Sequence, residues 1–178
     1  EQTPSDMAIT IRPAEPDDAP LLLTLIRELA EFEKLSDQVL ATEADIRETL
    51  FGPDAVAEAL LAELDGEPVG FAVFFRNYST FVGRPGLYLE DLFVRPAARR
   101  RGVARAIMRR LASIAVERGL RRFEWSVLNW NTPAIDFYRR LGAEPMSDWT
   151  VYRLSDEALA RLAPRPPTPA PRPGSSSP

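Results

Sequence analysis

Residues 86–94 read Gly-Leu-Tyr-Leu-Glu-Asp-Leu-Phe-Val, and the rest of the chain is best read outward from them. Alternation with period two puts Leu87, Leu89, Asp91 and Phe93 on one face and Tyr88, Glu90, Leu92 and Val94 on the other. A strand apolar on both faces is predicted to lie inside a sheet covered on both sides. Glu90 and Asp91 break the pattern. An unpaired buried carboxylate is costly, so each needs an arginine, a cleft or a raised pKa. For Asp91, neutralisation by arginine and a free acid stand as equal alternatives. Glu90 is expected to face a cleft as a base working near neutral pH.

The next segment, Arg99-Arg100-Arg101-Gly102-Val103-Ala104, leads into a helix from about Gly102 to Arg118. Val103, Ile107, Leu111, Ile114 and Ala115 share one face of that helix, and Gly119 ends it. Small residues let a backbone approach a ligand, and free N–H groups at a helix start attract phosphate. An ordinary turn with solvated arginines is the plainer alternative, and placement after the acidic strand favours the ligand site. Upstream, Ala8–Pro13 reads as a short strand, and Leu22, Leu25, Ile26, Leu29 and Phe32 form a helical stripe. A second helix starts near Thr42. Apolar runs at 57–64 and 68–75 flank Asp65-Gly66, a strong hairpin signal. Downstream, Phe123–Val127 is a strand, Pro133 opens a helix at its first position, and Gly142 ends it. Trp149–Leu154 is expected as a last strand, with Ser155 capping a closing turn or short helix. The order βααβββαβαβ defines an α/β fold with a mixed central sheet flanked by helices and no internal repeat.

Composition narrows the chemistry. The 178 residues are 45% hydrophobic and 27% charged, a balance that supports one domain, expected over 7–163. Residues 1–6 read as a leader, and Pro164–Pro178, rich in proline and serine, as a disordered tail. The net charge of −4 disfavours a general nucleic-acid binder and suits cationic substrates. No cysteine and no histidine occur, which removes thiolate and imidazole chemistry and their metal sites. Lys34 is the single lysine among 22 basic residues, which argues against a P-loop or Schiff-base lysine. No metal is expected, and catalysis is left to carboxylates, Tyr, Ser/Thr or backbone groups. With no long apolar run and no signal pattern, a cytoplasmic location without membrane partners is expected.

A further run, Asn129-Trp130-Asn131-Thr132-Pro133-Ala134-Ile135-Asp136-Phe137-Tyr138, continues through Arg139-Arg140-Leu141-Gly142-Ala143. Tyr138 shares a face with Ala134 and Leu141, so it is either a core aromatic or one of the few available proton donors. Asn131 is placed to cap the helix or to bind a ligand amide.

Together these segments resemble the GNAT superfamily of N-acetyltransferases. More narrowly, they resemble its spermidine/spermine (diamine) group with thialysine- and ornithine-type relatives. The likeness spans about Ile9 to Leu154. It is carried by Ile11–Ala14, Leu25–Glu33, Tyr88–Val94, the 99–104 loop and Trp130–Ala143. It implies acetyl transfer from acetyl-CoA to a primary amine of a small basic substrate. Leu92, Phe93 and Val94 would then bind the thioester and pantetheine, Arg99 to Ala104 the pyrophosphate, and Asn131 the coenzyme. Tyr138 would protonate the leaving thiolate, Glu90 would take the amine proton, and a backbone N–H at a bulge after Glu90 would face the oxyanion. Phe32, Glu33, Asp91, Glu124 and Trp149 are the candidates for the amine side, Trp149 alternatively packing a dimer core. The likeness also implies a homodimer using the C-terminal strand. Departures are Phe32 where relatives often have tyrosine, Arg100 and Arg101 in a usually Gly-rich loop, Ala104 for glycine, and Asn129 for aspartate. An acyl-CoA-binding sensor, or an acetyltransferase of protein lysines or N-termini, are the competing readings.

Overall fold

Asp65 and Gly66, with φ of 52° and 83°, make the tight turn expected of an Asp-Gly pair. Across it β2 (Glu58–Leu64) and β3 (Glu67–Ser79) run antiparallel, and β3 runs antiparallel to β4 (Arg84–Val94). β1 (Ile9–Pro13) pairs antiparallel with β2, and β5 (Phe123–Trp125) pairs parallel with β4. The mixed sheet therefore has the spatial order β1-β2-β3-β4-β5. This computed structural model describes residues 8–164, so the leader and all of the tail beyond Pro164 lie outside the described residues. The chain divides into two compact units between Asn129 and Trp130, and the sheet belongs to the first.

Of the expected stripe, Leu22, Leu25 and Leu29 are buried, Ile26 is half-buried, and Phe32 at the helix end is exposed. α1 (Ala19–Phe32) puts Leu22, Leu25 and Leu29 onto Ala59, Leu61, Phe71 and Phe93, joined by Ile46 of α2 (Glu43–Phe51). Thr42 caps α2: its Oγ1 accepts from the Asp45 amide at 3.2 Å, and its own amide donates to Asp45 at 2.8 Å. The alternate sheet residues Leu60, Ala72, Phe74, Leu87 and Leu89 are buried as well. α3 (Val103–Glu117) packs on β1 to β4, burying Val103, Ile107, Leu111 and Ile114. Each such large apolar side chain contributes roughly 1.5–3 kcal/mol.

Ion pairs fix the angles between these layers. Arg12 bridges Asp18 at 2.7 Å and Glu63 at 2.9 Å, tying β1 to β2 and to the turn before α1. Arg95, just past β4, holds Glu28 of α1 at 2.9 Å, and Arg118 holds Glu58. All are partly solvated, worth about 0–1 kcal/mol each, so they orient more than they stabilise.

In the second unit α4 (Thr132–Arg140) begins one residue earlier than expected, which puts Pro133 at its second position. Gly142, at φ 89°, follows its end. The expected strand at Trp149–Leu154 is not formed. Its alternation satisfies the pattern, but a strand needs a ladder partner, and the segment has none among the described residues. Val151 and Tyr152 stand 86% and 93% exposed. α5 (Asp156–Leu162) follows, with Ser155 at its N-cap. Phe71 has no exposed surface. Phe71→Ala should cost about 3–5 kcal/mol, read as a lower midpoint in chemical denaturation.

Candidate active site

β4 changes face at its centre. Val73 pairs with Asp91 but Phe74 pairs with Leu89, so Glu90 is an extra residue, a β-bulge. Below it Phe75 pairs with Tyr88 and Asn77 with Gly86. Cross-strand partners share a face, so Phe71, Val73, Phe75 and Asn77 of β3 lie with Phe93, Asp91, Tyr88 and Gly86 of β4. This corrects the uninterrupted alternation expected for the strand: Tyr88 joins Asp91, and Leu87 and Leu89 pass to the α3 side. The bulge expected after Glu90 falls at Glu90 itself.

The same bulge opens the sheet. The parallel ladder to β5 ends at the Leu89–Trp125 pair, while β4 continues to Val94. Residues 90–94 thus pair only with β3 within this unit, and β5 supplies no ladder to their outer backbone edge. An extended, amide-rich ligand can add to such an edge like a further strand. Leu92, Phe93 and Val94, the expected thioester and pantetheine residues, all lie on this stretch. Phe93 and Val94 side chains are buried, which leaves backbone groups as the contacts on offer there.

Three carboxylates gather at the bulge. Asp91 is pushed up to about 6, first by burial and then by the neighbouring charges of Glu90 and Glu33. Burial also raises Glu33, which follows α1. Of the two alternatives for Asp91, the free acid holds, since no arginine pairs with it among the described residues. Glu90, expected to face a cleft as the base, instead lies exposed at the bulge, and Asp91 is the acid that turns inward.

Arg99 opens the loop but turns back. Its guanidinium lies 4.5 Å from the centre of the Phe32 ring and 5.8 Å from that of Phe93, and its Nε donates to the Val94 carbonyl at 2.9 Å. Burial lowers its pKa. This side chain braces the end of α1 against the end of β4. Arg100 and Gly102 take positive φ, 62° and 84°, and Gly102 N-caps α3. The amides opening α3 lack partners inside the helix, and no acidic residue occupies its first turn. Arg101, Val103 and Ala104 complete this loop, a setting that fits an anionic phosphate.

In the second unit, Asn131 is a cap: its Oδ1 accepts from the Ala134 amide at 3.3 Å. Tyr138 is half-buried, its ring 5.5 Å from Phe137. Trp149 is 75% exposed. Glu124 lies on β5 beside Tyr88 and accepts from the Asn77 side chain at 3.4 Å. Tyr88 and Asn77 lie outside the expected site residues; the register shift at Glu90 carries Tyr88 to Asp91's face, which Asn77 shares through Val73 on β3. Among the described residues no cluster of three or more acids could hold a metal, and no helix is long and apolar enough to cross a membrane.

These elements make a mixed sheet whose bulged acidic strand runs on past its β5 ladder toward the loop that opens α3. The chain belongs to the acetyltransferase (GNAT) family, which it matches over residues 23–143. It is 38% identical to a thialysine N-epsilon-acetyltransferase of Sus scrofa, covering 88% of this chain and 98% of that one. It is 30% identical to an L-ornithine N5-acetyltransferase of Arabidopsis thaliana, covering 85% and 86%. An integron cassette protein of V. cholerae superposes with a TM-score of 0.74 at 25% identity, covering 88% of this chain and 98% of that one.

Asp91 sets a pH dependence of stability. Folded, it holds its proton up to about pH 6 rather than the ordinary 3.8. The native state gains from this group below about pH 4, and that gain is lost as pH rises through 6, a penalty on the order of 2–3 kcal/mol at neutrality. Asp91→Asn should therefore be more stable than the parent at pH 8, with the gap closing toward pH 4 in urea titrations. A gap independent of pH would contradict this.

Proposed function

We propose that the chain transfers the acetyl group of acetyl-CoA to a primary amine of a small basic substrate by direct attack. The observation that carries this reading is Asp91, an inward carboxylate with no cation partner, placed just before the open edge of β4. Its support beyond the site is the family and relatives that act, by their names, on thialysine and ornithine. The family match crosses the boundary between the two units, and we take 7–163 as one acetyltransferase domain.

An alkylammonium with a pKa near 10 is neutral in about one molecule in a few thousand at pH 7, so it must lose a proton to react. Glu90, at the surface, draws the cation in, and Asp91, mostly ionised above pH 6, accepts the proton, directly or through water. The amine nitrogen forms the new C–N bond to the thioester carbon as the C–S bond breaks. A bulge amide near Glu90 receives the oxyanion. Tyr138 gives its phenolic proton to the departing thiolate, and the second proton shed by the new amide nitrogen restores the phenol through water. No enzyme nucleophile is needed, which suits a chain without cysteine or histidine. Leu92 to Val94 hold the thioester arm, residues 99–104 the pyrophosphate, and Asn131 the coenzyme, its side-chain amide being free to donate while Oδ1 caps α4. Phe32 and Glu33 wall the amine side. The reading also takes the chain as a cytoplasmic homodimer without nucleic-acid or membrane partners, with the exposed stretch around Trp149 at the subunit contact. Sedimentation as a monomer at working concentration would remove the dimer.

Thiol release from acetyl-CoA with an amine panel tests the reaction, and the cysteine-free protein adds no background. Binding without release from any amine would mark a sensor instead. Tyr138→Phe should lower kcat about 100-fold or more while KM stays within a few-fold. The kcat/KM profile should rise through about pH 6 as Asp91 ionises. Glu90→Gln, by removing a like charge beside Asp91, should move that limb to lower pH, and an unmoved limb would clear Asp91 of the role.

A further inference from the structure

Arg99 belongs by sequence to a phosphate loop, yet its side chain leaves that loop for the end of β4. The pairing of β3 with β4 shows what it meets there. Val94 stands opposite Gly70, and the Arg95 amide, one residue on, donates to the Val69 carbonyl at 2.7 Å. In an antiparallel ladder that bond marks Val94 and Gly70 as a pair whose own amides and carbonyls point away from each other. The Val94 amide and carbonyl therefore face the outer edge, and alternation gives Leu92 the same orientation. Before the bulge the outward amide is that of Leu87, which donates to the Arg122 carbonyl at 2.8 Å. Past Leu89 no β5 ladder meets this edge. The Val94 carbonyl is nevertheless taken, because it accepts from the Arg99 Nε at 2.9 Å. The same guanidinium lies 4.5 Å from the centre of the Phe32 ring, so one group joins the end of α1 to the open edge.

We propose that the Arg99 side chain is a positioning residue for the acyl-donor arm rather than a phosphate ligand. The inference rests on the acetyltransferase reading of the site. Arg99 stops the open edge at Val94, so an extended amide chain pairs with Leu92 and the Val94 amide and slides no further. That stop fixes where the thioester falls relative to Asp91. Without it the freed carbonyl would admit a ligand shifted by one ladder repeat, about 7 Å along the strand. Such a slip is far outside what a reacting pair tolerates, since a displacement of about 1 Å can cost 100-fold in rate. Arginine suits this task and lysine does not. The planar head stacks on Phe32 while Nε, in the same plane, donates to the carbonyl, a combination an ammonium point charge lacks. Phe93, whose ring is 5.8 Å from the guanidinium, shares its face of β4 with Asp91, so the stop and the acid are held by one strand.

The test uses the full chain, the most active amine of the panel, and three donors: acetyl-CoA, butanoyl-CoA and S-acetylpantetheine, which has the thioester arm without the pyrophosphate. Arg99→Met should lower kcat about 10-fold or more with acetyl-CoA and with S-acetylpantetheine alike, while KM for acetyl-CoA stays within a few-fold. An arm free to slide no longer measures acyl length, so the acetyl-to-butanoyl ratio of kcat/KM should fall about 5-fold or more. Arg99→Lys keeps the charge and should restore neither quantity; it carries the same comparison if Arg99→Met does not fold. A general loss of structure would lower both acyl donors together, so an unchanged acetyl-to-butanoyl ratio would overturn the proposal. A loss confined to acetyl-CoA and repaired by Arg99→Lys would make Arg99 a phosphate ligand and overturn it as well. No thiol release by the parent with any amine would overturn acetyl transfer, and the positioning role with it.

Discussion

The extra residue in β4 governs the molecule's chemistry. A strand that kept its register past Leu89 would leave Asp91 on the opposite face from Tyr88 and Phe75. Inserting Glu90 rotates the strand, sets Asp91 beside the end of α1, and carries Tyr88 onto the same face. The pairing with β5 stops where the bulge begins, so one local irregularity accounts for the inward acid, the aromatic floor and the open backbone edge. Such a disruption is tolerated because its neighbours are tightly held. Phe71 and Phe93 are buried beneath α1, and Arg95 fastens α1 to the strand's end.

The acidic group is held at a cost. Asp91 sits where burial and two like charges all oppose its ionisation, and no arginine relieves it, although arginines are plentiful nearby. The nearest basic side chain along the chain that faces this region, Arg99, is committed to Phe32, Phe93 and the Val94 carbonyl. A core that simply maximised stability would have neutralised this position. Leaving it unpaired keeps an affinity for protons and cations in reserve, as is common where a site must bind charge.

Much of the fold was legible because its signals are local. The Leu22-Leu25-Leu29 stripe, the Thr42 cap, the Asp65-Gly66 turn and the glycine entry into α3 each state their geometry within a few residues. The acidic pair was visible as an anomaly, but which of its members turns inward depends on a register shift encoded across two strands. The same blindness hid Tyr88 and the reach of Asn77 over Gly86. Trp149–Leu154 shows the converse failure, since alternation reports that a segment can pair and not that a partner is supplied. Asn131 caps α4 through its oxygen alone, so the cap leaves its side-chain amide for the ligand alternative.

β5 meets β4 through only three residue pairs, and the chain closes a loop of roughly thirty residues to make them. β2, β3 and β4, by contrast, are joined by tight turns and long ladders, so little entropy is spent on their docking. Glu124 therefore rides on the most weakly tethered rim of the sheet, where local opening is cheapest. The bond from Asn77 acts as a stitch across that rim, making the hold on a carboxylate and the cohesion of the sheet's margin one and the same contact.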